Sequence, residues 1–449
     1  MLGRYPHRAD GHGGKRALLR AMPSITIAQE KRVIRFFLSA AVVLTLCGLL
    51  VVGCAPSSGP SAGAYVQITQ PSFVDAWDVQ LPLHSGDSVK GIYFLDGTVH
   101  VITNKSYDHA VKGDSGELLY NYEIGTADSL VQGAPTLVTD GIVFPTTHTL
   151  ELFTRAGNFV RSIDTVYTIT NPIVGNNNYV YAGMDFHGGC LACFDVTADL
   201  SAQQWSYLTF GTVDGRVAIR DNTIYSGSED GKIRACLEDK SPDWPLLENS
   251  AFDTQDRIVS GLAVDSHSVY CATLGGKFYS LDKDNGKVRW QYFAGAPLEY
   301  GPQATDSTVY EYVPGLGLTA LDKSKKVTVD DQETLLESPF HTPRWSLPSA
   351  GRILGEDQQF VYVVLGRPDQ TRGIAAVDKT NGKIVFRTHR RDLQFVTAQS
   401  DGSMIYGATQ SGLIVAMKPV AVPGSYGQIV DSDISSAAPT IDGSIPHVR

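Results

Sequence analysis

Asp265 to Trp290 reads DSHSVYCATLGGKFYSLDKDNGKVRW, and weaker copies of this stretch recur along the chain. The copies align on one aromatic position. Val180-Tyr181, Ile224-Tyr225, Val269-Tyr270, Val309-Tyr310, Val361-Tyr362 and Ile405-Tyr406 form the series, their tyrosines 44, 45, 40, 52 and 44 residues apart. Val143-Phe144 and Val99-His100 are two weaker members upstream, which brings the number of copies to eight. Turn signals precede most copies, among them Asp96-Gly97, Asp140-Gly141, Asp221-Asn222 and Asp401-Gly402. After each aromatic come a Gly, an alternating strand and often an acidic residue, and then a second turn such as Asp284-Asn285-Gly286 or Thr380-Asn381-Gly382.

These are hairpin signals. Asn-Gly supplies the positive φ that a tight turn between twisted strands requires. Val, Ile and Tyr suit pleated, half-buried positions. Each copy therefore reads as a small antiparallel sheet of about four strands, and a period of roughly 40–50 residues is that of a propeller blade. A lone sheet leaves a face unburied; stacking blades round an axis covers both faces. The expected fold is all-β, an eight-bladed β-propeller of four-stranded antiparallel blades. Asp75 to Leu81 resembles the last strand of a blade, and Ser436 to Gly443 resembles the opening of one at Gly133 to Gly141. Either end could complete the ring. The charged segment from Lys323 to Trp345 reads as a long loop or insertion in the sixth blade.

Upstream of the repeats lies an export signal. Lys31, Arg32 and Arg35 precede an apolar run from Leu38 to Val52, too short for a membrane span. The run ends in Val51-Val52-Gly53-Cys54, a lipobox-like sequence, and a Pro/Ser/Gly tether follows. Cys54 is the expected lipidation site. The expected organisation is residues 1–53 as extension and signal peptide, 54–70 as tether and 71–449 as the propeller. The basic, aperiodic stretch before Met22 suggests that translation starts at Met22. The whole chain carries 37 basic and 47 acidic residues, a net charge of −10. Loss of the basic signal would leave the mature protein more acidic still, which argues against nucleic acid as a partner.

Several residues invite a chemical reading. His187, Cys190 and Cys193 have metal-like spacing, but the repeat puts both cysteines on one strand, where residues three apart face opposite sides. They read as buried small side chains, as do Cys236 and Cys271. Asp214, Glu229 and Asp230 read as turn residues. His341 beside Arg344 and Trp345, and the cluster His389-Arg390-Arg391, read as solvated loop residues with a lesser prospect of contacting a ligand or an acidic partner. Gly315-Leu316-Gly317 lacks the third glycine of a nucleotide loop.

The segment Leu281 to Trp290 (LDKDNGKVRW), with Val377 to Phe386 (VDKTNGKIVF) as a second match, resembles the PQQ-like propeller repeat. The resemblance implies that Trp290, Trp205 and Phe386 dock each blade onto its neighbour. It leaves two kinds of role open. Quinoprotein dehydrogenases carry PQQ and Ca²⁺, and their larger alcohol-oxidising members an adjacent Cys-Cys pair; this sequence has no such pair and no evident oxygen-rich calcium cage. BamB-like lipoproteins, accessory to the machine that inserts β-barrels into the outer membrane, need no cofactor and hold a protein partner on the loops of one face. Signal, lipobox, size and blade number match the second. The expectation is a lipid-anchored, exported scaffold with envelope-protein partners, no catalytic residue, no metal and no cofactor. A PQQ-dependent oxidoreductase and a surface sensor are the alternatives.

Overall fold

The computed structural model describes residues 70–422 apart from 127–128, 199–201, 245–250, 324–325, 330–331, 336–340 and 389. The expected signal peptide, Cys54, nearly all of the expected tether, His389 and the tail resembling a blade opening lie outside the described residues. Eight four-stranded antiparallel sheets follow one another round a ring, with no helix among the described residues. Blades 1 to 7 occupy residues 89–123, 136–164, 174–208, 218–253, 263–293, 303–347 and 350–387. Blade 8 takes three strands from residues 395–422. Its fourth is the N-terminal strand Gln70–Gln80, which pairs antiparallel with Leu413–Val422. Joining the two ends of the chain in one sheet closes the ring and buries the edges that an open sheet would expose.

The turns work as their residues dictate. Asp96, Asn177, Asp221 and Asn222 adopt φ of 46–65°, and Gly286 and Gly382 of 70° and 73°. Asn, Asp and Gly are the residues that pay least for this left-handed backbone.

Burial splits into eight separate hydrophobic clusters, one per seam between adjacent blades. Side-chain alternation explains the split. In the second strand of blade 5, Val269 packs back onto blade 4 and Tyr270 forward onto blade 6. Tyr181, Tyr225, Tyr310, Tyr362 and Tyr406 face forward in the same way. Blade 2 departs from the sequence alignment by one residue. Thr136 pairs with Val143 as Ala263 pairs with Tyr270, so Val143 holds the forward position and Phe144 points back to blade 1. A one-residue slip reverses every face, and Val-Phe in an apolar run gave no cue to the register.

The fourth strands, and in blade 4 the connection that precedes the fourth strand, supply the locks. Trp205 Nε1 donates to Glu238 O of blade 4 at 2.7 Å, and Trp290 Nε1 to Lys323 O of blade 6 at 3.0 Å. Trp77, Trp244 and Trp345 make the same bond to Gly113, Lys283 and Lys379 of the blade that follows each. In all five seams the indole lies 5.8–6.1 Å from the forward tyrosine of its own blade. A Cβ on Gly116 would meet Trp77 at 2.7 Å and one on Gly382 would meet Trp345 at 2.7 Å, so the turn glycine is also the platform on which the indole rests. Phe386, which has no N–H to give, packs 5.6 Å from Phe73 of blade 8.

The segment from Lys323 to Trp345 is more ordered than a loop. It carries a two-stranded hairpin, Lys326–Val329 with Gln332–Leu335, between the third and fourth strands of blade 6. Trp345 belongs to the fourth strand itself. His341 is correspondingly not solvated. It is buried, its ring 4.6 Å from Trp290, and its two ring nitrogens lie 2.8 and 2.6 Å from the carbonyls of Thr342 and Asp322. Folding the insertion back over the seam buries what sequence alone placed in water.

Candidate docking surface

Antiparallel order gives the ring two unlike faces. The hairpin turns between first and second, and third and fourth, strands lie on one face. The connections that enter each blade, and the loops between second and third strands, lie on the other. The exposed apolar residues Val166, Tyr167, Phe210 and Leu316 lie in loops of this second face, while others line the outer fourth strands.

Three loops are laced together there. The connection into blade 3 carries Val166 and Tyr167, the inner loop of blade 3 carries Phe186 and His187, and the connection into blade 4 carries Phe210. Asp185 N donates to Thr168 O and Thr209 N to Gly189 O, tying the three into one ridge, and Glu229 N extends it to Thr212 O. Tyr167 and Phe186 lie 4.5 Å apart, ring to ring. Val166 is 70% exposed and Phe210 is 78% exposed. Asp164 and Asp185 are exposed beside them.

The backbone shows that these apolar tips are held at a cost. At five of the connections one amide bonds back to the preceding loop: Ile124, Thr165, Thr209, Thr254 and Ala294 donate to Ser106, His148, Gly189, Gly231 and Gly276. The next residue is Gly125, Val166, Phe210, Gln255 or Gly295. Gly295 adopts φ 73°, which suits glycine, but Val166, Phe210 and Gln255 adopt 64°, 58° and 60°. A β-branched or aromatic residue there is strained by about 1–3 kcal/mol, and such strain gathers at functional sites. Thr165 and Thr209 support the bend, each Oγ donating to the carbonyl two residues on, at 2.8 and 2.7 Å. The recurring Thr165, Thr209 and Thr254 were the signal in the sequence that could have marked this position; the tyrosine alignment passed over it.

The other candidates fall elsewhere. Cys190 packs in the seam between blades 2 and 3 and Cys193 in that between 3 and 4, on opposite faces of their strand. Burial pushes the Cys193 thiol up to about 12 and that of Cys236 equally, which leaves both unreactive near neutrality. His187 is exposed on the ridge with φ 49°. Asp230 pairs with Arg234 and Glu229 with Arg257, while Asp214 accepts from Thr212 at 3.1 Å. Arg344 pairs with Asp322, and Arg390 lies 3.6 Å from both Asp75 and Asp392. Among the described residues no three His, Cys, Asp or Glu side chains gather as a metal site.

A family model described as outer membrane protein assembly factor BamB matches residues 248–334, the stretch that holds blade 5 and the LDKDNGKVRW segment. No curated protein matches the chain. Among solved structures, BamB from Moraxella catarrhalis is similar at 15% identity and a TM-score of 0.56, over 77% of this chain and 98% of that one. Quinohemoprotein alcohol dehydrogenases are similar as well. That of Comamonas testosteroni aligns at 14% identity and TM-score 0.52, over 79% and 78% of the two chains. One from Pseudomonas putida HK5 aligns at 13% and 0.54, over 79% and 77%. The chain thus resembles BamB-like, PQQ-type propellers in fold. Likeness at such identities extends to the ring and not to its sites.

Proposed function

We propose that this protein is a non-catalytic docking platform of the cell envelope, tethered to a membrane through a lipidated Cys54 and holding a protein partner on its loop face. The observation that carries the reading is the ridge of Val166, Tyr167, Phe186 and Phe210. An exposed apolar ridge on strained, mutually bonded loops offers a partner preorganised contact area. Exposed Asp164 and Asp185 beside it favour a partner surface whose apolar side chains are flanked by Lys or Arg. The BamB-like segment and ring support the sharper version, a part in assembling outer-membrane β-barrels. The role requires no cofactor.

Site-specific photo-crosslinking in the native membrane tests the reading. A crosslinker at Phe210 is expected to give one discrete protein adduct that Val166→Asp abolishes, and one at Asp284, on the turn face, none. Equal adducts from both faces would overturn the ridge as the site. Cys54→Ala is expected to release the protein from the membrane fraction. Tight one-to-one binding of PQQ with Ca²⁺ in calorimetric titration would instead favour the oxidoreductase reading.

A further inference from the structure

The most exposed tip of the ridge, Phe210, is held in place by the next blade. It sits at φ 58° between Thr209 and Gly211. The loop between the second and third strands of blade 4, with the strand that follows it, grips both of these neighbours. On one side Arg234 Nη2 reaches across the seam and donates to Thr209 O at 3.1 Å. On the other, a Cβ on Gly211 would meet Asp230 N at 2.3 Å, so the Gly211 backbone lies flush on that loop. Glu229 N, one residue earlier in the loop, donates to Thr212 O at 3.0 Å.

Arg234 is itself fixed, with 9% of its side chain exposed. Its Nη1 donates to Ser228 Oγ at 2.8 Å and to Asp230 Oδ1 at 3.1 Å, and its Nη2 donates to Asp230 Oδ2. The guanidinium carbon lies 5.8 Å from the centre of the Tyr207 ring. Ser228 Oγ and Lys232 N also donate to Asp230. A buried ion pair adds little stability over apolar side chains of the same volume, whereas a guanidinium fork fixes direction. The repeat does not call for this arginine. One residue before the partner of the forward tyrosine, blades 3, 5, 6 and 7 carry Ala192, Tyr279, Thr319 and Ala375 where blade 4 carries Arg234. The bend at Val166 is instead closed within its own connection, Tyr167 N donating to Thr165 O at 2.7 Å and Val166 N to Asp164 Oδ1 at 2.8 Å.

We infer that Arg234 is the positioning residue of the docking surface: paired with Asp230, it locks the bend that keeps Phe210 standing out from the ridge. Its purpose rests on the docking reading, but the lock is measurable without any partner.

Amide hydrogen exchange of the full-length protein in detergent, read by mass spectrometry, compares residues 207–212 with residues 163–168. Arg234→Met keeps the stem over Tyr207 and removes the fork. Combining it with Asp230→Asn leaves no unpaired buried charge, so the double variant should melt close to the parent and decides the matter if the single one unfolds. Both are expected to speed exchange at the Thr209 amide, which bonds Gly189 O, at least about tenfold, the scale of a lost charge-assisted hydrogen bond. Exchange at the Thr165 amide should stay unchanged. The adduct from a crosslinker at Phe210 should fall with it, while the protein remains folded. Unchanged exchange at Thr209 in the double variant, or an equal rise at Thr165, overturns the inference, as does faster exchange with an undiminished adduct. Faster exchange at Thr209 in variants of a parent that gives no adduct at all tells against the docking reading and leaves the lock standing.

Discussion

The seam between blades 5 and 6 and the seam between blades 1 and 2 solve the same problem with different chemistry. In the first, Tyr270 Oη donates to Asp265 at 2.8 Å, Lys323 pairs with Asp265 at 2.8 Å, and Trp290 bonds the carbonyl of that same Lys323. Burial alone would raise the Asp265 pKa, but Lys323, the amides of His267 and Ser268 and the Tyr270 hydroxyl hold it at about 2. In the second seam His100 stands where the tyrosine belongs and Tyr120 where the tryptophan belongs. His100 Nδ1 lies 2.8 Å from Asp108 Oδ2, both side chains fully buried, and Phe144 fills the space 6.0 Å from the His100 ring. His100 Nε2 and Asp108 Oδ1 find no partner. Tyr120 still rests on the turn glycine of the next blade, since a Cβ on Gly157 would meet it at 2.6 Å. Apolar burial and a glycine platform suffice to hold a seam; the indole hydrogen bond adds direction to it.

The widest test of that contrast is truncation. Trp290→Ala should lower stability by about 3–5 kcal/mol in denaturant unfolding, the range for a buried aromatic cut to Ala. Tyr120→Ala should cost less, because it forfeits no bond to the next blade; equal losses would show that the indole bond contributes nothing. Next in size is the buried pair. Asp108→Asn should cost about 1–3 kcal/mol by leaving His100 without its charged partner, while the matching Asn at exposed Asp284 should be nearly neutral.

Within the seam between blades 5 and 6, two carboxylates predict opposite pH slopes. Glu311, on the blade 6 side of its seam, is fully buried with both oxygens unpartnered, and burial raises its pKa well above 4.5. Its stability contribution is complete below 4.5 and falls as pH climbs toward the folded value; Glu311→Gln should flatten that decline in melting curves. Asp265 has the reverse sign. Its contribution stands above 3.8 and is lost as pH falls toward 2, so Asp265→Asn should flatten the acid limb. The smallest expected effect is the most telling for function. Val166→Gly should stabilise the protein by about 1 kcal/mol by relieving a positive φ, and yet weaken the Phe210 adduct. Stabilisation with undiminished crosslinking would reduce the strain to an accident of the loop.

Much of the ring could be read from residues alone, because a blade is a local object. Asn285-Gly286 and Asn381-Gly382 announce hairpins, alternation announces strands, and a period near 44 residues announces eight sheets with no reference to anything distant. The series of forward tyrosines marked the seams for the same reason. Where local cues fell silent the reading slipped: Phe144 was placed on the wrong face, and Trp345 and His341 were given to a loop, because an insertion between third and fourth strands hid the register.

The candidate site was marked in the sequence only by the recurring Thr165, Thr209 and Thr254. Val166, Phe186 and Phe210 are unremarkable in sequence, scattered over some forty residues, and become one surface only when neighbouring loops hydrogen-bond across blades. Closure was likewise open until the strands paired, since Asp75 to Leu81 and the tail carry equally good strand patterns. Pairing of Gln70–Gln80 with Leu413–Val422, with Trp77 settled on Gly116 and bonded to Gly113, decided it. Local turn chemistry and alternation belong to the chain by itself, whereas closure, exposure and the meeting of remote loops depend on which surfaces the ring leaves uncovered once every seam is packed.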